Sequence, residues 1–321
     1  MKRNNQFQLE DKPCPCCNAR NDNIILQGHD SLYDLPGTFN VVKCNKCGLL
    51  RTNPRPTPES IQFYYPDFYS PYQSSNQNTY TENKGKKIMF WKTILKQFIA
   101  FNTTNIPPIK KGHMLEIGCA SGSYLKRMSN EGWKVTGIET NMKCAQNLLD
   151  AGYTIYNSTL ENMPDPKEKF DLITAWMVFE HLHNPLLCLN KAYKWSKQNA
   201  CLVMSVPNAK AIEFQLFKDN WYDLHLPCHL YHYTPETITR LLNKGGWKVY
   251  KIYHQRVLDT LIGSMGIYLK NVQKLPSMSK KLIHFSENSV KMGIRLLYPP
   301  AYLLSLFGQT SRMTIWARKK T

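Results

Sequence analysis

The chain has 321 residues, 42% of them apolar and 20% charged, with a formal net charge of +18 at pH 7. That length suits one large domain plus a small one, and the composition is that of a soluble globular protein. The opening MKRNNQFQLEDK has no apolar core behind its charges and no run of about 18 apolar residues occurs, so neither a secretory signal nor a membrane span is expected. Ten cysteines without such a signal point to thiols or metal in a reducing compartment, so a cytoplasmic protein is expected.

The charge is uneven. From Arg240 onward fifteen Lys or Arg stand against Asp259 and Glu287, a local balance of +13. Such a basic tail suits an anionic partner such as nucleic acid, a phosphorylated substrate or an acidic membrane surface; it also suits a solvated face.

In chain order, residues 1–55 carry cysteines, lack helical periodicity and end in the turn-rich TNPRPTP. Residues 56–105 form a connector with the aromatic cluster FYYPDFYSPY, the polar SSNQNTYTENKG and the helically spaced KKIMFWKTILKQFIAF. From 106 to 321 strands and helices alternate. HMLEIG, WKVTGIE, YTIY, FDLITAW, ACLVMSV, WKVYKIYH and RMTIWARKK read as strands, and SYLKRMSNEG and MKCAQNLLDAG as helices. TPETITRLLNKGG is a further helix, with Thr234 as N-cap and Pro235 at its first position. This alternation predicts an α/β, doubly wound, Rossmann-like domain with a parallel sheet and helices on both faces.

Two C-x2-C pairs, Cys14–Cys17 and Cys44–Cys47, stand 26 residues apart. Each can form a knuckle, with Asn18 and Gly48 supplying the left-handed turn. Four thiolates suit tetrahedral zinc, which would be structural because no coordination position stays open. The residues between read as a hairpin, and Cys16 is a spare thiol able to replace a neighbour.

MLEIGCASGSYL poses the functional question. Gly118-x-Ala120-x-Gly122 follows a strand and is one residue shorter than the G-x-G-x-x-G loop that cradles a pyrophosphate. Such a turn leaves room for a compact ligand against the backbone. Glu139, 21 residues beyond Gly118, ends the next strand, where an acid accepts from both ribose hydroxyls.

LEIGCASGSYL, VTGIET, FDLITAWMVFEHLHNP and LVMSVPN resemble the successive motifs of class I S-adenosylmethionine-dependent methyltransferases. CPCC…CNKCGLLRTNPRP, YYPDFY and LPCHLYHYTPETITRLL resemble a branch with a zinc-binding N-terminus that includes sugar C-methyltransferases and enzymes of surface-glycan or secondary-metabolite pathways. The likeness spans the chain except about 255–308. It implies that Glu116, Gly118, Ala120 and Gly122 lie beside the methionine part of S-adenosylmethionine, that Glu139 holds the ribose, and that Leu160 and Glu161 lie near adenine. The family usually has glycine where Ala120 stands, often Asp at Glu116, and often an acid at Thr159.

Methyl transfer is an in-line displacement in which the acceptor must also lose a proton. Histidine is the usual base near neutral pH. Glu180-His181 follows the fourth strand, and WYDLHLPCHLYHYT offers His225, His229 and His232 with Trp221 and Tyr233. By resemblance His229 falls where the sugar C-methyltransferases keep their base, although Cys228 replaces the glutamate before it, and His181 orients the site. An ascending pH–rate limb near neutrality is expected from such a base.

The expected function is S-adenosylmethionine-dependent O- or C-methylation of a sugar, glycan or small metabolite. The alternative is a zinc-ribbon nucleic-acid-binding protein with a relic α/β domain; poor aromatic interleaving of the ribbon's cations makes nucleic acid the weaker partner. A nicotinamide dehydrogenase is disfavoured by the short loop. Residues 255–308 form an insertion with Lys and Arg around LIGSMGIYL and MGIRLLYPPAYLLSLFG. Pro299-Pro300 is expected to break its apolar run. Peripheral contact of residues 260–308 with an anionic membrane is one expectation; capping the pocket or forming a dimer face is the other.

Overall fold

The computed structural model describes residues 7–66, 105–288 and 291–320. The polar stretch after the aromatic cluster and the helical pattern of 86–101 lie outside the described residues.

The central sheet is built from β6 (His113–Ile117), β7 (Lys134–Glu139), β8 (Thr154–Asn157), β9 (Phe170–Trp176), β10 (Ser196–Pro207), β12 (Trp247–His254) and β13 (Arg312–Lys319). Its spatial order is β12-β13-β10-β9-β6-β7-β8. Six strands run parallel. β13 runs antiparallel to both β10 and β12, so the sheet is not the wholly parallel one expected. The reason is chain direction: β13 returns through the insertion and slots between β10 and β12. All five β6 residues are buried, as in a strand covered on both faces.

Helices α1 (Ser123–Asn130), α2 (Met142–Asp150), α3 (Pro185–Trp195), α4 (Ile212–Phe217) and α5 (Pro235–Lys244) connect these strands. Asn141 caps α2 by accepting from the Cys144 amide at 3.0 Å. At α5 the Thr234 hydroxyl accepts from the Thr237 amide while the Thr237 hydroxyl accepts from the Thr234 amide.

The N-terminal module contains β1 (Leu9–Glu10), β2 (Asp22–Gly28), β3 (Phe39–Cys44), β4 (Leu50–Thr52) and β5 (Arg55–Pro56). β2 and β3 form the expected hairpin between the cysteine pairs. The four-stranded sheet β11-β4-β3-β2 takes its edge strand β11 (Tyr231–His232) from far along the chain. Module and α/β domain also share a core: Cys14, Cys44 and Leu49 pack in one buried cluster with Leu115, Ile173 and Leu230.

The insertion folds as α6 (Asp259–Asn271), α7 (Pro276–Asn288) and α8 (Lys291–Leu306). Pro299 and Pro300 lie inside α8 rather than ending it. Both are exposed, so the carbonyls they leave without amide donors can turn to water.

Candidate cofactor and acceptor site

The strand order reverses between β6 and β9, which places a crevice at their carboxyl ends. A cavity of about 890 Å³ opens there, and Gly118, Ala120, Glu139, Leu160, Glu161, His181 and His229 line it together. Thr159, Trp176 and His225 line it as well. Glu116 and Gly122 stand behind the loop instead. Glu116 is buried, and that burial holds its carboxyl well above the usual range. Gly122 is the left-handed N-cap of α1, where an added Cβ would sit 2.3 Å from a Leu148 methyl.

The loop's shape follows from its small residues. Gly118 has φ 69°, and a Cβ there would fall 2.7 Å from Val178. Ala120 also takes a left-handed φ, 45°, which explains why glycine is the easier residue at this position. Its amide donates to Glu139 Oε2 at 2.7 Å, and the Asn141 amide donates to Oε1 at 2.7 Å. Each oxygen keeps accepting capacity for further donors. Leu160 and Glu161 are held by Lys191, which donates to both their carbonyls.

On the opposite wall the imidazoles of His181 and His229 meet edge to face, with centroids 4.6 Å apart. His229 is buried and its Nδ1 lies 2.7 Å from the Asp223 carbonyl. A carbonyl only accepts, so Nδ1 carries the proton and Nε2 keeps its lone pair. The Cys228 carbonyl, 3.0 Å from His181 Nδ1, calls for the same tautomer, and the Tyr65 hydroxyl lies 2.9 Å from that nitrogen. Burial pushes His181 down to about 4, and burial with its histidine neighbours pushes His229 well below the usual range. Were His229 the base, its ascending limb would therefore fall on the acid side of neutrality rather than near it. Glu180 is fully buried, and burial pushes its carboxyl up to about 8.

His232 is turned away, with Nε2 3.4 Å from the Thr52 hydroxyl, while Trp221 and Tyr233 are buried packing residues that donate to Ser311 and to the Phe179 carbonyl. Other lining groups escape sequence reasoning because they come from distant segments: Tyr33 and Tyr65 of the N-terminal region, Asp259 and Glu287 of the insertion, and Arg312. Arg312 grips Asp223 through two bonds of 2.9 and 3.2 Å, and Asp223 carries the carbonyl that orients His229. Three of the non-glycine residues at positive φ, Ala120, Met177 and His225, line this cavity, and such strain clusters at functional sites.

Away from the cavity, the four sulfurs of Cys14, Cys17, Cys44 and Cys47 lie within 4.8 Å of one another. The Cys14–Cys47 and Cys17–Cys44 pairs are 3.4 and 3.5 Å apart, close to the roughly 3.8 Å edge of a tetrahedral zinc–thiolate site. Asn18 and Gly48 take the left-handed turns, at φ 59° and 77°. Cys16 is only partly buried and lies outside this cluster of four.

These features define a Rossmann-like α/β protein with a ligand crevice at its sheet's switch point. A family model described as a methyltransferase domain matches residues 90–252, and the chain belongs to that family. It is 26% identical over 136 residues to a ubiquinone biosynthesis O-methyltransferase of Azorhizobium caulinodans, covering 40% of this chain and 54% of that one. It is 30% identical over 108 residues to the protein of the same name from Rhodopseudomonas palustris strain HaA2, covering 32% and 43%. The chain thus spans about half the length of the curated relatives it matches. Among solved structures, an S-adenosylmethionine-dependent methyltransferase from Mesorhizobium loti aligns at 13% identity and TM-score 0.44, over 67% of this chain and 94% of that one. One from Archaeoglobus fulgidus aligns at 21% and 0.43, over 71% and 93%.

Proposed function

We propose that the protein transfers a methyl group from S-adenosylmethionine to an oxygen or carbon of a small acceptor, with a sugar, glycan or secondary metabolite as the acceptor class. The observation that carries this reading is that one cavity unites the loop Gly118–Ala120, the acid Glu139 and the pair His181–His229. S-adenosylmethionine, when bound, supplies a methyl group already activated on a sulfonium. The chain's own residues then bind and orient. Gly118 and Ala120 let the ligand lie against backbone, Glu139 has lone pairs for the ribose hydroxyls, and Leu160 and Glu161 border the adenine end. Acceptor-side proton removal falls to His229, whose Nε2 lone pair is held ready by the Nδ1 contact to Asp223. His181 packs against it and orients the ring.

Cys14, Cys17, Cys44 and Cys47 would hold a structural zinc, a role the spacing of their sulfurs supports. Domain bounds of 1–55, 56–105 and 106–321, cytoplasmic residence and peripheral membrane contact through 260–308 belong to the same proposal. No helix among the described residues is long and apolar enough to cross a membrane. Exposed Leu303, Leu306 and Phe307 at the end of α8 support the peripheral reading.

Transfer of isotopically labelled methyl from S-adenosylmethionine to a panel of small hydroxyl-bearing acceptors tests the reaction. His229→Ala should lower the rate about 10²–10⁴-fold with S-adenosylhomocysteine affinity nearly unchanged. An unchanged rate removes His229 from the mechanism.

A further inference from the structure

Glu180 raises a problem that the methyl-transfer reading leaves open. Its carboxyl is 0% exposed, and neither oxygen has a hydrogen-bond partner among the described residues. A buried carboxyl with nothing bound to it is costly, and native structures keep one only for a reason. Its neighbours supply the reason. One carboxylate oxygen of Glu180 and one ring nitrogen each of His181 and His229 lie within 4.8 Å of one another.

Both imidazoles are prepared in the same way. Each turns Nδ1 to a backbone carbonyl, Cys228 for His181 and Asp223 for His229, and each keeps the Nε2 lone pair. Histidines that ligate metal almost always donate the other ring N–H to a carbonyl or carboxylate, which fixes the tautomer and raises ligand basicity. Asp223 is itself anchored by Arg312, so the support extends one layer further. Metal–ligand bonds of about 2.1 Å put ligand atoms roughly 3.0–3.4 Å apart, so an ion would draw the three atoms in from separations of up to 4.8 Å.

We propose that Glu180, His181 and His229 form a second metal site, separate from the four cysteines, that takes a divalent first-row transition-metal ion. Two imidazoles and one carboxylate suit such an ion and leave coordination positions open. Both histidines line the cavity, so those positions face the acceptor. The role of the site rests on the methyl-transfer reading; its binding of a cation does not. A cation here acts as a Lewis acid on an acceptor hydroxyl and makes it more acidic, and an acceptor with two adjacent oxygens binds best because both can ligate. The hydroxyl O–H bond breaks and its proton leaves to water in the cavity. The oxygen's electron pair forms the new C–O bond as the S–CH3 bond breaks, and the sulfur keeps that pair as a thioether. The cation does not change oxidation state. With the cation bound, His229 is a ligand and the acceptor's own acidity supplies the nucleophile; without it, His229 is the base.

The test is a direct binding measurement on the full chain, stripped of metal and reloaded with one equivalent of zinc for the cysteines. Titration with Mn²⁺, followed by the paramagnetic resonance of the free ion, and in parallel with Co²⁺, followed by absorbance, should show one further saturable ion per chain. Glu180→Gln, His181→Gln and His229→Gln should each weaken it at least tenfold while S-adenosylhomocysteine still binds. Three variants at separate positions keep the test decisive if one fails to fold, and Cys44→Ser should leave this second ion in place. No saturable binding of either ion by the wild type, or binding that all folded variants retain, overturns the site. Wild-type protein that takes up the second ion but binds no S-adenosylhomocysteine would count against the methyl-transfer reading instead.

Discussion

At Ala120 a methyl group is held at φ 45°, a conformation that costs an L residue about 1–2 kcal/mol. Ala120→Gly should therefore raise stability slightly, by about 0.5–1 kcal/mol after glycine's own entropy is counted, with cofactor affinity retained. Ala120→Val, β-branched at positive φ, should weaken S-adenosylhomocysteine binding tenfold or more. Thermal unfolding and calorimetry of the two variants check both effects; equal behaviour would mean that the loop's backbone does not set affinity. Glu213 gives a pH prediction. It is 1% exposed, and burial pushes its carboxyl up to about 7. The folded state then keeps a proton that the unfolded chain releases near its ordinary value of 4.5. Stability contributed at this position is thus greatest below the ordinary value, falls as pH rises toward 7, and stays low above it. Glu213→Gln should match the wild type near pH 4 and exceed it by roughly 2–3 kcal/mol at pH 8. A difference that does not change with pH would refute the assignment. Residue-scale features were legible where one residue carries its own signal, as in the backbone freedom of Gly118, the carboxyl of Glu139 and the thiols of the cysteines. Asp223 and Arg312 were not, since their importance lies in a through-space bond between positions 89 apart in sequence.

Among the elements, β4 and β11 join the two ends of the account. Tyr231 pairs with Arg51 and His232 with Leu50, and the Thr52 hydroxyl donates to the His229 carbonyl at 2.8 Å. Arg55 adds bonds to the Tyr231 hydroxyl and the His183 carbonyl. The cysteine-bearing sheet is therefore part of the frame that holds His229. Cys44→Ser should lose the proposed zinc, lower the unfolding temperature by several degrees and weaken acceptor binding, because metal affinity is folding free energy in such modules. Cofactor binding, on the far wall, should change only a few-fold. Zinc analysis, thermal unfolding and S-adenosylhomocysteine titration on one preparation decide it, and an unaltered melt would show that the cysteines do not brace the fold. The strands and the capped helix α5 were readable from periodicity and from Thr234-Pro235. Helix α3 carries a similar start in Asn184-Pro185, where the Asn184 side chain accepts from the Leu187 amide. The antiparallel β13 was not readable, because strand direction depends on the route taken by an insertion with no periodic cue to it.

For the whole molecule, the insertion both walls the cavity, through Asp259, Ser286 and Glu287, and presents Leu303, Leu306 and Phe307 at 59%, 60% and 77% exposure. Capping the pocket and touching a membrane are thus compatible uses of one segment. Sedimentation with anionic vesicles should carry the protein down at low salt and release it at high salt, with neutral vesicles ineffective. Protein that stays in solution with anionic vesicles at low salt would leave the insertion as a lid alone. The cavity itself was only half legible: the wall proposed for the cofactor follows motifs along one stretch of chain, whereas the wall proposed for the acceptor gathers Tyr33, Tyr65, His229 and Arg312 from across the fold. The central claim is that the wall formed by Gly118, Ala120 and Glu139 binds S-adenosylmethionine. Calorimetric titration of the full chain with S-adenosylhomocysteine tests it most directly. One saturable site per chain is predicted, weakened at least tenfold by Glu139→Ala in a protein that remains folded; no detectable binding at millimolar ligand by the folded wild type would contradict it.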